Sequence, residues 1–149
     1  MKESDMNVRL ISVNELAGAT AINRRALRRL GGRTVSVDMN VRAIPDLNHS
    51  MVTLVVTCSY IAVIGLLRTR LLTCSAVATF EVEDLRKHIE TEGEDAVLGG
   101  QLMTLMLGIA VGSLRGIVAM RTADTPLRNV PLPILDLNAL MYRLRYGRY

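Results

Sequence analysis

The chain has 149 residues, 50% hydrophobic, 21% charged and 3% aromatic, with a net charge of +4. That balance excludes a disordered chain and fits one domain over residues 1–149, with a core that is aliphatic and filled by Met. Two cysteines, Cys58 and Cys74, cannot build a disulfide framework, and two distant histidines, His49 and His88, offer no ligand spacing, so neither a metal nor a cofactor is expected. The opening MKESDMNVRL has no apolar run long enough for a secretory signal, which gives a cytoplasmic expectation.

Met6, Val8 and Leu10 alternate with Asn7 and Arg9 and predict a short strand. From Asn14 to Gly32 the pattern breaks into a connection with a helical turn, ended by two glycines. It holds a basic patch of Arg24, Arg25, Arg28, Arg29 and Arg33. Arg33 to Ile44 alternates again, with Val35, Val37, Met39 and Val41 on one side, and Pro45, Asp46, Asn48 and Ser50 make the break after it.

Met51 to Leu67 is a run of 17 residues without a charge, long enough to suggest a membrane span. Its inner period is two, however: Val52, Leu54, Val56, Cys58 and Tyr60 alternate with Thr53, Thr57 and Ser59, which predicts a strand. Gly65 through Thr69 offers a turn, and Leu72, Cys74, Ala76, Ala78, Phe80 and Val82 then alternate in the returning strand. A turn centred near Leu66 sets Cys58 opposite Cys74 on one face, where a reduced pair in the core is expected. The acidic stretch Glu83 to Asp95 reads as a surface loop with a polar helical turn.

Gln101 to Met120 follows, apolar on every side of a helical wheel apart from Arg115. Gly108, Gly112 and Gly116 recur at every fourth position and form a flat strip that another layer can approach closely. As a membrane span this helix is nearly balanced. Arg115 costs about 2.5 to 3.5 kcal/mol, and eight Leu, Ile and Val recover about 0.3 to 0.6 each. Amphipathic strands before it and a proline-rich extended segment after it, with Pro131 and Pro133 two apart, decide for a soluble helix covered by its own sheet and by a second copy of the chain. Leu137, Leu140, Met141 and Leu144 recur at helical spacing behind Asp136 or Asn138 as a cap, which predicts a short closing helix. The fold class is therefore α+β: a four-stranded antiparallel sheet with one long and one short C-terminal helix on one face.

No catalytic arrangement emerges. There is no Ser, His and Asp set in a recognisable context and no phosphate-cradling glycine loop after a strand, so an enzyme is not expected. The arginine patch, and the tail YRLRYGRY with its interleaved tyrosines, leave a basic nucleic-acid module as an alternative beside a solvated charged face.

The order of elements, together with GSLRGIVAMRTADTPLRNVPLPILDLNALM from Gly112 to Met141, resembles the SecB family of bacterial export chaperones and its divergent relatives. The resemblance implies a homotetramer, a dimer of dimers with long helices sandwiched between sheets. It also implies a holdase that binds unfolded precursors in hydrophobic grooves without ATP, for a translocation motor or, among relatives, for toxin–antitoxin systems. Export members are acidic where this chain is basic, which implies an altered client or docking partner. The corresponding groove is assigned to Ile22, Leu27, Leu30, Leu137, Leu140 and Met141, each of which ordinary core packing would equally explain. A structural or assembly oligomer built on the same fold is the remaining alternative.

Overall fold

The computed structural model describes residues 7–92, 95–134 and 136–140, with 90–92 and 95–97 described as backbone. Its centre is a long hairpin of β4 (Met51–Ile64) and β5 (Leu67–Val82). Val52, Leu54, Val56, Cys58 and Tyr60 are fully buried on one face, and Cys74, Ala76, Ala78, Phe80 and Val82 join them from β5. Period-two alternation places them there, since successive side chains leave opposite faces of a strand.

The turn is tighter than Gly65 to Thr69. Ile64 pairs with Leu67, leaving Gly65 and Leu66 as a two-residue loop in which Gly65 takes φ +66°. That is the glycine-first hairpin turn, matched to strand twist. On its own this turn would misalign the cysteines by one residue. A bulge beside Tyr60 and Ile61 takes up Leu71 as an extra, fully buried residue and brings Cys58 opposite Cys74, as expected.

On one side of the hairpin, β3 (Ser36–Asp46) pairs with β4 without interruption, and Met39 and Val41 face the core. Val35 precedes the strand, and Pro45 sits within it near its end, as an edge strand permits. On the other side, β1 (Val8–Glu15) pairs with β5 and runs further than the sequence pattern implies. A bulge at Ile11 resets the alternation, so Leu10 and Ile11 are exposed while Val13 packs on the core. The two-residue β2 (Ala21–Ile22) continues that side against β5 and leads into α1 (Arg24–Arg28). Asn23 caps α1 by accepting from the Ala26 N–H at 3.0 Å. The main sheet thus has the order β1-β5-β4-β3, four strands as expected plus the short β2.

The acidic stretch is a correction. After a 3-10 turn at Leu85–His88, it folds into a second antiparallel pair, β6 (Ile89–Glu92) with β7 (Asp95–Leu98), where a loop was expected. Its charge-rich composition masks the alternation by which strands are recognised.

α2 (Gly100–Thr122) lies across the sheet against β5, β4 and β1. It buries Leu102, Met103, Met106, Leu107, Ala110, Val111, Leu114 and Val118, each worth about 1.5 to 3 kcal/mol for the larger side chains. This packing accounts for the apolar composition that also suits a membrane span. At its exit Thr122 donates to the Val118 carbonyl at 2.8 Å, and Thr125 donates to Thr122 and accepts from the Leu127 N–H. The 3-10 turn Pro126–Asn129 follows.

Candidate functional site

α2 has a second face. Leu105, Gly108, Gly112, Gly116, Ala119 and Met120 all point away from the sheet and are exposed. The orientation that the sequence leaves open is thereby fixed: the glycine strip faces outward. A Cβ on Gly112 or Gly116 would meet nothing within 4 Å, and one on Gly108 would lie 3.6 Å from Leu137 Cδ1.

Arg115, the charge within the apolar run of the helix, explains how the closing segment is held beside this face. Its Nε donates to the Leu132 carbonyl at 3.3 Å and its Nη2 to the Pro133 carbonyl at 3.0 Å. Prolines at 131 and 133 keep the backbone extended, and Leu132 is buried beneath it. The chain therefore runs back along α2, from Arg115 at residues 132–133 to Gly108 at Leu137. Asp136 accepts from the N–H groups of Asn138 and Ala139, which starts a helical turn at Leu137–Leu140. Between the two anchors Ile134 stands 96% exposed. An uncovered strip of Leu, Ile, Met and glycine, bordered by extended chain, can take up apolar side chains.

The assigned groove residues are distributed differently. Leu27 and Leu30 are core residues, buried by packing of α1 under the sheet, and Ile22 is half-buried beside Glu15 and Arg121. Leu27 borders Thr125 and Pro126, beyond the C-terminal end of α2. Leu137 sits at Gly108, about 24 Å back along the helix axis. Leu140 is buried, and Met141 lies outside the described residues, as do the tail arginines and tyrosines. Leu105, Met120 and Ile134 are exposed members of the strip that the sequence reading omits. Their signal is the helix being apolar on every side.

Arg24, Arg25, Arg28, Arg29 and Arg33 are all exposed. Arg24 pairs with Asp124 at 3.3 Å, and Arg33 donates to the carbonyls of Arg29 and Leu30.

A second polar cluster lies where β1 meets the end of α2. Glu15 accepts from Arg121 Nε at 2.9 Å and Nη2 at 2.5 Å, and from the Thr20 hydroxyl. The Arg121 guanidinium foremost, and then Thr20, hold its carboxyl below the usual range. Burial pushes the Cys58 thiol up to about 12, with neighbouring Cys74 adding to the shift, and burial raises Cys74 as well. Both thiols are free and protonated. The Glu15 carboxylate beside Cys74 is engaged by Arg121 and Thr20, and its lowered pKa makes it a poor base for a thiol whose own pKa is raised. Among the described residues no three His, Cys, Asp or Glu side chains gather as a metal site.

No protein-family model matches the sequence, and no curated protein matches it. In three dimensions the chain is similar to the SecB-like chaperone Rv1957 of Mycobacterium tuberculosis, solved in complex with a ChAD peptide from the Rv1956 HigA1 antitoxin. The TM-score is 0.52 at 15% identity, over 87% of this chain and 91% of that one. The α+β fold, an antiparallel sheet carrying a long helix, is thus that of a SecB-like chaperone.

Proposed function

We propose that this chain is a non-enzymatic chaperone or adaptor that holds extended apolar segments of other polypeptides. The observation that carries the reading is the outward face of α2. Leu105, Met120 and the glycine strip lie uncovered beside Ile134, in a fold similar to that of a chaperone solved with a bound peptide. Extended peptides suit such a surface because alternate side chains can enter an apolar strip while the backbone stays hydrated.

A second copy of the chain would use the same strip. Glycines at every fourth position let a partner helix approach closely, and a dimer or tetramer would leave the margin near Ile134 for client. We place the protein, a single domain over 1–149, in the cytoplasm, with unfolded precursors or a toxin–antitoxin partner as the client classes.

The test is aggregation of a chemically unfolded client in the presence of the purified protein. Suppression at stoichiometric amounts without nucleotide supports a holdase. No protection at several-fold excess would leave an assembly role for the fold.

A further inference from the structure

The tip of the central hairpin is apolar and bare. Leu66 is 99% exposed, Leu67 73% and Val63 56%. The fold does not require leucines there: the turn needs Gly65, and any residue with negative φ serves at 66. Only one face of the tip is bare, since Ala62 and Ile64 on the other face pack on the core. β3 begins at Ser36, opposite Ile61, so the three rungs beyond Ile61 have no β3 partner, and Val63, Leu66 and Leu67 face outward there.

Arginines surround the base of the tip. Arg70 lies opposite Ile61, at the level where the pairing with β3 stops. α1 packs beside it, with the Asn23 N–H donating to the Leu71 carbonyl at 2.9 Å and Asn23 Nδ2 to the Arg70 carbonyl at 3.4 Å. From α1 the chain crosses the same end of the sheet to reach β3. Two carboxylates at this end are each paired, Asp38 with Arg68 at 3.2 Å and Asp124 with Arg24 at 3.3 Å. Arg25, Arg28, Arg29 and Arg70 have no carboxylate within 4 Å among the described residues.

We propose that this end of the molecule docks on an anionic lipid surface, with Leu66, Leu67 and Val63 entering the headgroup and acyl boundary while Arg25, Arg28, Arg29 and Arg70 lie among the lipid phosphates. The depth agrees, because three exposed aliphatic side chains at one end suit the shallow zone of about 5 to 10 Å in which interfacial elements bury their apolar parts. The charges agree too, since each arginine near an anionic leaflet adds attraction of the magnitude that makes a weak apolar anchor bind. A nucleic acid would satisfy the arginines but give nothing to three bare aliphatic side chains, and among the described residues the aromatic side chains, Tyr60 and Phe80, are fully buried and offer no face for base stacking. The α2 helix stays on its sheet throughout, so this is attachment and not insertion.

The experiment is flotation of the full chain with vesicles of phosphatidylcholine plus phosphatidylserine, against vesicles of phosphatidylcholine alone. Wild type floats with the anionic vesicles only. Leu66→Ser with Leu67→Ser lowers partitioning about tenfold or more, and its melting temperature is unchanged because neither leucine belongs to the core. Replacing Arg25, Arg28, Arg29 and Arg70 by Gln lowers it about fivefold per charge. Absence of flotation with anionic vesicles overturns the proposal, as does flotation that the leucine variant leaves intact. Oligonucleotide binding that survives the leucine change and disappears with the arginines, without flotation, assigns this end to nucleic acid instead.

Discussion

Arg121 in the last turn of α2 closes on Glu15, the final residue of β1, with two of its nitrogens on the carboxylate across 106 positions of sequence. The contact fastens the end of the helix to the sheet at the point where the chain leaves β1. Thr20 and Cys74 complete the surroundings of the carboxylate.

Because Arg121 and Thr20 depress the Glu15 carboxyl below its ordinary value of 4.5, the folded state prefers the charged form. The stability this adds is complete above pH 4.5 and is lost as the pH falls through the lower folded value. Arg121 is 45% exposed, so solvent screens the pair, and Glu15→Gln should cost about 1 kcal/mol at neutral pH. The expected result is a melting temperature lower by about 3 °C at pH 7, with the difference from wild type shrinking below pH 4. An equal difference at both pH values would show that the carboxylate's charge is not what matters.

The thiols give a prediction at the other end of the scale. Burial, reinforced by Cys74, raises the Cys58 thiol to about 12 from an ordinary 9.0, so the folded state holds a proton that the unfolded chain releases. That stabilisation is complete below pH 9 and declines as the pH rises from there towards 12. At pH 8 neither Cys58 nor Cys74 should react with an aromatic disulfide reagent in the native protein, and both should react in denaturant. Rapid native titration of one thiol would show that the face shared by β4 and β5 opens on the experimental timescale.

The strands with one wet face were legible in the sequence because a two-residue period survives any detail of packing: Val52 to Tyr60 and Leu72 to Val82 point inward as their alternation requires. The bulges were not. Ile11 and Leu71 are ordinary apolar residues whose extra position depends on how neighbouring strands pair, and pairing is a property of the whole sheet. Nor was the Glu15–Arg121 contact, since nothing local links residues so far apart. The glycine strip of α2 was visible as a pattern but not as a direction, because a helix apolar on every side does not say which face meets the sheet. The family resemblance assigns Leu27 and Leu30 to a groove, with core packing as the equal alternative, and in this chain they are buried. Their burial depends on α1 turning under the sheet edge, which its arginine-rich sequence does not announce.

Arg115 provides a third prediction. Its two hydrogen bonds to the Leu132 and Pro133 carbonyls replace partners that the prolines cannot supply from within the segment. Arg115→Met keeps the aliphatic stem and removes both donors, and each lost charge-assisted bond to a partly exposed carbonyl is worth about 1 kcal/mol. The sheet should remain intact by circular dichroism while limited proteolysis cuts between Val130 and Leu140 many times faster. A cleavage pattern identical to wild type would mean that Leu132 and Leu137 hold the segment unaided.

The last prediction concerns Gly112, at the centre of the outward strip. Within one chain a side chain here meets nothing within 4 Å, so Gly112→Ala should raise the stability of an isolated protomer by about 1 kcal/mol through helix propensity alone. If a second copy packs its helix on the strip, as proposed, the same methyl group intrudes on the closest point of approach, and Gly112→Leu intrudes further. The expected outcome is that Gly112→Leu lowers the mass measured by light scattering from an oligomer to a protomer, with helix content preserved and client protection altered. Gly108→Ala is the internal comparison, because its methyl group would lie at ordinary contact distance from Leu137 Cδ1 of the same chain. A Gly112→Leu protein with unchanged mass and a raised melting temperature would place the strip in solvent, and the apolar face of α2 would then belong to client polypeptide alone.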